Sequence, residues 1–140
     1  MFWHHSRMSE FEVVVGAGSL RSTAADVVQF PHKWTSEGVT VESAFTGAHL
    51  LHLAAAGCVL NDVYREAQQF GIDVQGVRVG AHGTFDVDTW RSNGIAYWVE
   101  VDGPQSADEV NALLTRVDSV AEIPKSIRAG ASVVRIEDAP

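Results

Sequence analysis

The residues able to do chemistry lie along one apolar stretch, His49-Leu-Leu-His-Leu-Ala-Ala-Ala-Gly-Cys-Val-Leu-Asn-Asp-Val-Tyr-Arg65. Cys58 is the only cysteine of the chain, so it has no internal disulfide partner, which suits a reducing compartment. It can act as a small buried hydrophobe, or as a thiolate nucleophile recycled by an external thiol. On a helix, Asp62 falls one turn further along the same face and disfavours the thiolate, with Arg65 another turn away. A mid-helix position also denies the sulfur the positive field of a helix N-terminus. These neighbours favour an inert thiol over a reactive one.

His49 and His52 are three residues apart and share a helix face, the spacing of a metal-ligand pair. Cys58 lies well round the helix from His52 and does not complete a site with them. The pair reads as a helix-start couple that bonds to backbone or lines a pocket. In a minority reading His49 serves as base or proton donor. No metal and no cofactor are expected.

The element that positions these groups is a helix predicted from about Thr46 or Gly47 to Phe70, with Gly71 as its stop. Leu50, Leu53, Ala54, Gly57, Leu60 and Tyr64 form one row, and Leu51, Ala55, Cys58, Val59 and Val63 fill the rows beside it. A helix apolar over most of its circumference is one covered on most sides.

Before it, strand-like runs cover Phe11 to Val15, Leu20 to Thr23 and Val27 to Phe30, with a short strand around Val39 and Val41. After it, alternation from Val74 to Val87 and from Ile95 to Val101, joined by the turn signal Arg91-Ser-Asn-Gly94, predicts a hairpin. Ser106-Ala-Asp-Glu109 is a capping box that opens an amphipathic helix. Residues 123–128 read as a short helical turn, and Ser132 to Ile136 as a last strand. The fold class is α+β in a single domain spanning 1–140, with residues 1–9 as a flexible leader.

Composition sets further bounds. The net charge of −8 is spread along the chain, which argues against nucleic acid or an anionic membrane as partner, because phosphates call for a basic face. No apolar run reaches the roughly 20 residues needed to span a bilayer.

Taken in order, these features resemble the OsmC/Ohr family of osmotically inducible and organic hydroperoxide resistance proteins. The N-terminal β-region, the Leu-x-x-x-Ala-x-Ala-x-Cys helix, the Phe70-Gly-Ile72 exit, the hairpin and the Ser-x-x-Glu helix carry the resemblance from about Glu10 to Glu137. It implies an OsmC-like fold, antiparallel sheets wrapped around the central helix, in an intertwined homodimer. It also implies thiol-dependent reduction of organic hydroperoxides, in which a helix cysteine attacks, a cysteine of a Cys-Pro motif resolves, and an arginine and a glutamate activate the first thiol.

Cys58 matches the attacking cysteine. Pro124 matches the motif proline, but Ile123 stands where the resolving cysteine would be. Ala48 occupies the glutamate position, with His49 beside it. Arg21 is the only arginine of the N-terminal β-region after the leader, and it aligns only loosely with the activating arginine. His52, Ile123 and Pro124 are the expected pocket residues.

The expectation is therefore a cytoplasmic homodimer with a degenerate site that retains Cys58 alone, at best a weak single-cysteine peroxidase. The alternative is a non-catalytic dimer that holds a small apolar or hydroperoxide-like ligand beside Cys58. A third option is a hydrolytic or metal-assisted activity through His49 and His52.

Trp90 and Arg91 at the hairpin tip, with Trp98, offer a pocket rim, although packing of Trp98 between sheet and helix is the simpler expectation. His82 reads as a solvent-face residue of its strand. His32 and Trp34 sit in a loop that would cover the dimer cleft.

Overall fold

The computed structural model describes residues 10–137; the leader expected at residues 1–9 lies outside them. In chain order the elements are β1 (Val13–Gly18), β2 (Val28–Phe30), β3 (Val39–Glu42), α1 (Gly47–Phe70), β4 (Gly76–Phe85), β5 (Ser92–Asp102), α2 (Ala107–Val120) and α3 (Glu122–Ala129). The strands form one antiparallel sheet in the order β2-β3-β1-β4-β5.

β1 sits at its centre, with both backbone edges paired: Val15 lies opposite Val41 of β3 on one side and Val79 of β4 on the other. That double pairing joins the N-terminal strands and the hairpin into one layer, where several sheets around the helix were expected.

Strand alternation turns Val13, Val15 and Ala17 of β1, with Val77, Val79 and Ala81 of β4, to the same face. Against them pack Ala56, Val59, Leu60, Val63 and Ala67 of α1, with Leu113 and Val117 of α2 completing the core. Within the single chain α1 is not covered all round. Its opposite flank stays open at Leu50 and Ala54, and Leu51, Leu53, Gly57 and Cys58 are half-buried.

The ends of α1 follow the sequence reading. Thr46 caps the N-terminus by accepting from the His49 N–H, and Gly71, at φ 68°, takes the left-handed conformation at the other end. There the Gly71 N–H bonds to Gln68 O and the Ile72 N–H to Ala67 O, the Schellman arrangement. The capping box of α2 forms, with the Ser106 side chain accepting from Glu109 N and the Glu109 carboxylate accepting from Ser106 N.

Three local expectations are corrected. Leu20 to Thr23 forms no strand: Leu20 closes a turn, the Leu20 and Arg21 N–H groups bonding back to Ala17 O and Gly18 O, and the residues after it are irregular. Ser132 to Ile136 pairs with no strand among the described residues, and Val133 and Val134 lie exposed; a run of β-branched residues does not by itself make a strand without an edge to pair with. Trp98 lies on the sheet face away from the core, over Gly80, where a Cβ would come within 2.3 Å of its ring. The Arg78 guanidinium stacks on the same indole at 5.1 Å. The glycine opposite, not a helix, makes room for this tryptophan.

Candidate thiol site

α1 carries Cys58 and, one turn on, Asp62. α2 ends at Ala121, a fully buried corner residue with ψ 116° that is also the N-cap of α3. That corner sets the first residue of α3, Glu122, against α1. The Cys58 thiol donates to Glu122 Oε1 at 2.9 Å, and the Ile123 backbone N–H also reaches the sulfur.

Burial, followed by the hydrogen bond to Glu122, pushes the Cys58 thiol up to about 11; the Ile123 N–H opposes this, while the charges of Asp62 and Glu122 add to it. A thiolate is favoured by cationic surroundings, and here the ionised neighbours are acidic. Glu122 itself is held below the usual carboxylate range, chiefly by the thiol that donates to it.

The nearest cation is engaged elsewhere. Arg65 Nη2 lies 2.9 Å from Asp62 Oδ2 and its Nε lies 3.2 Å from Glu66 Oε2. Glu66 is buried and receives a second guanidinium from α2, Arg116 Nε at 3.1 Å. Burial nevertheless raises Asp62 to about 6, against the pull of Arg65. At neutral pH this site holds a protonated sulfur between carboxylates, a poor nucleophile.

The other sequence candidates lie apart from the sulfur. His49 meets the Thr46 hydroxyl through Nδ1 at 2.7 Å and packs edge-on against Phe11 at 5.3 Å. His52 is fully buried; its Nδ1 lies 2.9 Å from Phe11 O, its ring stacks on Phe85 at 6.1 Å, and its Nε2 has no hydrogen-bond partner among the described residues. Both histidines thus pack around Phe11, but only His52 bonds to backbone; the His49 ring meets a side-chain hydroxyl. Arg21 is half-buried in the turn after β1 and is not among the groups acting on the thiol.

Pro124 lines a cavity of about 400 Å³ between α1, β5 and α3, with Ala55, Ile95, Tyr97, Ile127 and Arg128. Its rim is fixed by Asp118, which accepts from the Tyr97 hydroxyl and from Arg128 Nη2, the latter at 2.8 Å. His32 is anchored to α1 through Asn61 at 3.0 Å and, with Trp34, borders a second cavity of about 320 Å³ beside Leu53 and Gly57. Trp90 lines an apolar recess of about 450 Å³ with Phe11, Ala48, Phe85 and Val87, and Trp98 takes no part in it. His82 is on the outer sheet face, its Nδ1 2.8 Å from Glu10.

Glu122 was missed in the sequence reading, although it adjoins the Ile123-Pro124 pair that the resemblance sets beside the sulfur. Glu66 and Arg116 were missed too; only tertiary packing brings α2 to that helix position.

A comparison with protein-family models matches residues 40–137 to the OsmC-like protein model. The chain belongs to the OsmC-like family. Among solved structures it is similar to the OsmC-like protein from Mycoplasma pneumoniae, with TM-score 0.57 and 13% identity over 76% of this chain and 89% of that one. It is also similar to an OsmC-like hydroperoxide resistance protein from Jannaschia sp. CCS1, with TM-score 0.50 and 12% identity over 92% of this chain and 97% of that one. At such identities the likeness is one of fold. No curated protein matches. Among the described residues of this OsmC-like chain, no helix is long and apolar enough to cross a membrane.

Proposed function

We propose that this OsmC-like protein is a divergent, cytoplasmic homodimer whose hydroperoxide chemistry has contracted to Cys58 alone. The observation that carries this reading is the 2.9 Å hydrogen bond from the Cys58 thiol to Glu122, beside an isoleucine at the position where the family resemblance sets a resolving thiol.

In the step available, the sulfur attacks the terminal peroxide oxygen as the O–O bond breaks, and the thiol proton passes through Glu122 to the departing alkoxide. The hydroperoxide is reduced to its alcohol and Cys58 is oxidised to a sulfenic acid. An external thiol then displaces water from that sulfur to give a mixed disulfide, and a second external thiol restores the cysteine. Because the carboxylate holds the proton on sulfur, the first step is slow at neutral pH.

The test follows cumene hydroperoxide consumption with excess dithiothreitol. The expected result is a small thiol-dependent rate above that of Cys58→Ala, rising with pH. A rate equal to that of Cys58→Ala at every pH overturns it.

The cavity bordered by Pro124 supports a second reading, a non-catalytic protein that holds a small apolar ligand there. Its mark is a rise in thermal midpoint with cumyl alcohol that survives Cys58→Ala. No shift with the probe at its solubility limit removes that reading.

A further inference from the structure

We propose that Cys58, Asp62 and Glu122 form a binding site for a divalent metal ion of borderline softness, zinc(II) being the best fit, with a fourth position open to water.

Among the described residues this is the one place where three such ligand atoms converge, all within 4.8 Å of one another. Zinc bonds of about 2.3 Å to sulfur and about 2.0–2.2 Å to oxygen, at tetrahedral angles, set neighbouring ligand atoms roughly 3.5 Å apart. That spacing falls between the 2.9 Å of the Cys58–Glu122 contact and the outer limit of the cluster. Two ligands stand on consecutive turns of one helix and the third on the first residue of α3, so side-chain rotation suffices to close the shell.

Asp62 supplies a separate indication. Only 3% of it is exposed, yet its Oδ2 is a buried oxygen without a hydrogen-bond partner among the described residues. Arg65 Nη2 lies 2.9 Å from it as an ion pair that does not meet hydrogen-bond geometry. A buried carboxylate normally collects several donors, and this one also has an oxygen within 4.8 Å of a sulfur and of a second carboxylate.

Charge and ligand type narrow the choice of ion. A thiolate and two carboxylates against the single cation Arg65 leave two negative charges, which one divalent ion neutralises. Carboxylates alone would suit magnesium or calcium, whereas a thiolate among them shifts preference to zinc and its neighbours. Binding forms a metal–sulfur bond and releases the thiol proton to solvent. Glu122 is exposed and Cys58 half-buried, so the ion has a path from water. The bound ion would cap the sulfur against peroxide; the two readings share Cys58 and Glu122 and apply to the metal-bound and the metal-free protein respectively.

The test titrates the reduced full-length protein with cobalt(II) and then with zinc(II). One equivalent of cobalt per chain should give a thiolate-to-cobalt charge-transfer band that zinc bleaches. Cys58→Ser should abolish the band, Glu122→Gln should weaken binding by at least about tenfold, and His49→Ala should leave it intact. Glu122 is exposed, so its variant tests the site without disturbing the core. Absence of the band in the parent protein, its persistence at full affinity in Glu122→Gln, or its loss in His49→Ala overturns the proposal. Peroxide assays on chelator-treated protein read the thiol chemistry separately, so either idea can fail without the other.

Discussion

Arg65 turns back along its own helix to Asp62, 2.9 Å away, and so leaves the Cys58 sulfur to Glu122. The cation that would make this thiol reactive is within one side chain's length of the site and is held by a buried carboxylate. Reactivity here is a matter of which acidic group each donor faces.

Removing the charge on Glu122 should therefore awaken the sulfur. In metal-free protein, iodoacetamide labelling of Cys58 should rise with pH toward an inflection near 11. Glu122→Gln should move that inflection down, raising the labelling rate at pH 8 by roughly three- to tenfold, the effect of half to one pKa unit. Burial remains, so the thiol should stay less acidic than a free cysteine. A parent profile centred near 8.5, the ordinary thiol value, contradicts the geometry described.

Asp62 makes stability depend on pH in the direction opposite to an ordinary paired carboxylate. Its folded-state value of about 6 lies above the ordinary 3.8, so between these values the native state binds the extra proton and stability falls as pH rises. Asp62→Asn should flatten this part of the curve and stabilise the metal-free protein at pH 7 by on the order of 2 kcal/mol. Urea midpoints at pH 4, 5, 6 and 7 for both proteins measure it. A parent protein whose midpoint climbs steadily across that range while the variant's does not would show Asp62 to be stabilised as an anion.

Leu60 and Leu50 lie about 80° apart round one helix, the first in the core and the second at the edge of the open flank, and should respond differently. Leu60 is 1% exposed and packs on the sheet, so Leu60→Ala should cost about 2–5 kcal/mol through the cavity it leaves. Leu50 is 37% exposed in the single chain, and the loss at Leu50→Ala should stay below about 1 kcal/mol unless a second copy covers it.

The open flank at Leu50 and Ala54 also gives a test of the homodimer. If a second chain packs there, the thermal midpoint should fall over a hundredfold dilution, and Ala54→Arg should abolish that dependence by burying a charge in the contact. A midpoint indifferent to dilution in the parent protein rules out an obligate dimer.

Much of the architecture was legible because its signals are local. Gly71 marks the end of α1, Ser106 and Glu109 announce α2, and the alternation around Val77 and Val79 predicts β4. The errors arose where a segment's fate depends on a partner. Ser132 to Ile136 has the composition of a strand and no edge to join, and Trp98 found its place through Gly80 on the adjacent strand. At the site, Asp62 could be placed relative to Cys58 by helical periodicity. Glu122, 64 residues away in sequence, could not, because the joint between α2 and α3 is a tertiary fact.

That joint is one residue long. Ala121 ends one helix and begins the next, with its N–H bonded to Val117 O and its carbonyl accepting from Lys125 N. A single added residue at this elbow would change the direction in which α3 leaves α2 and carry the acid away from the sulfur. The spacing of the chain at this corner thus works as a ruler, and a change in its length would alter the chemistry available to Cys58 without touching the cysteine.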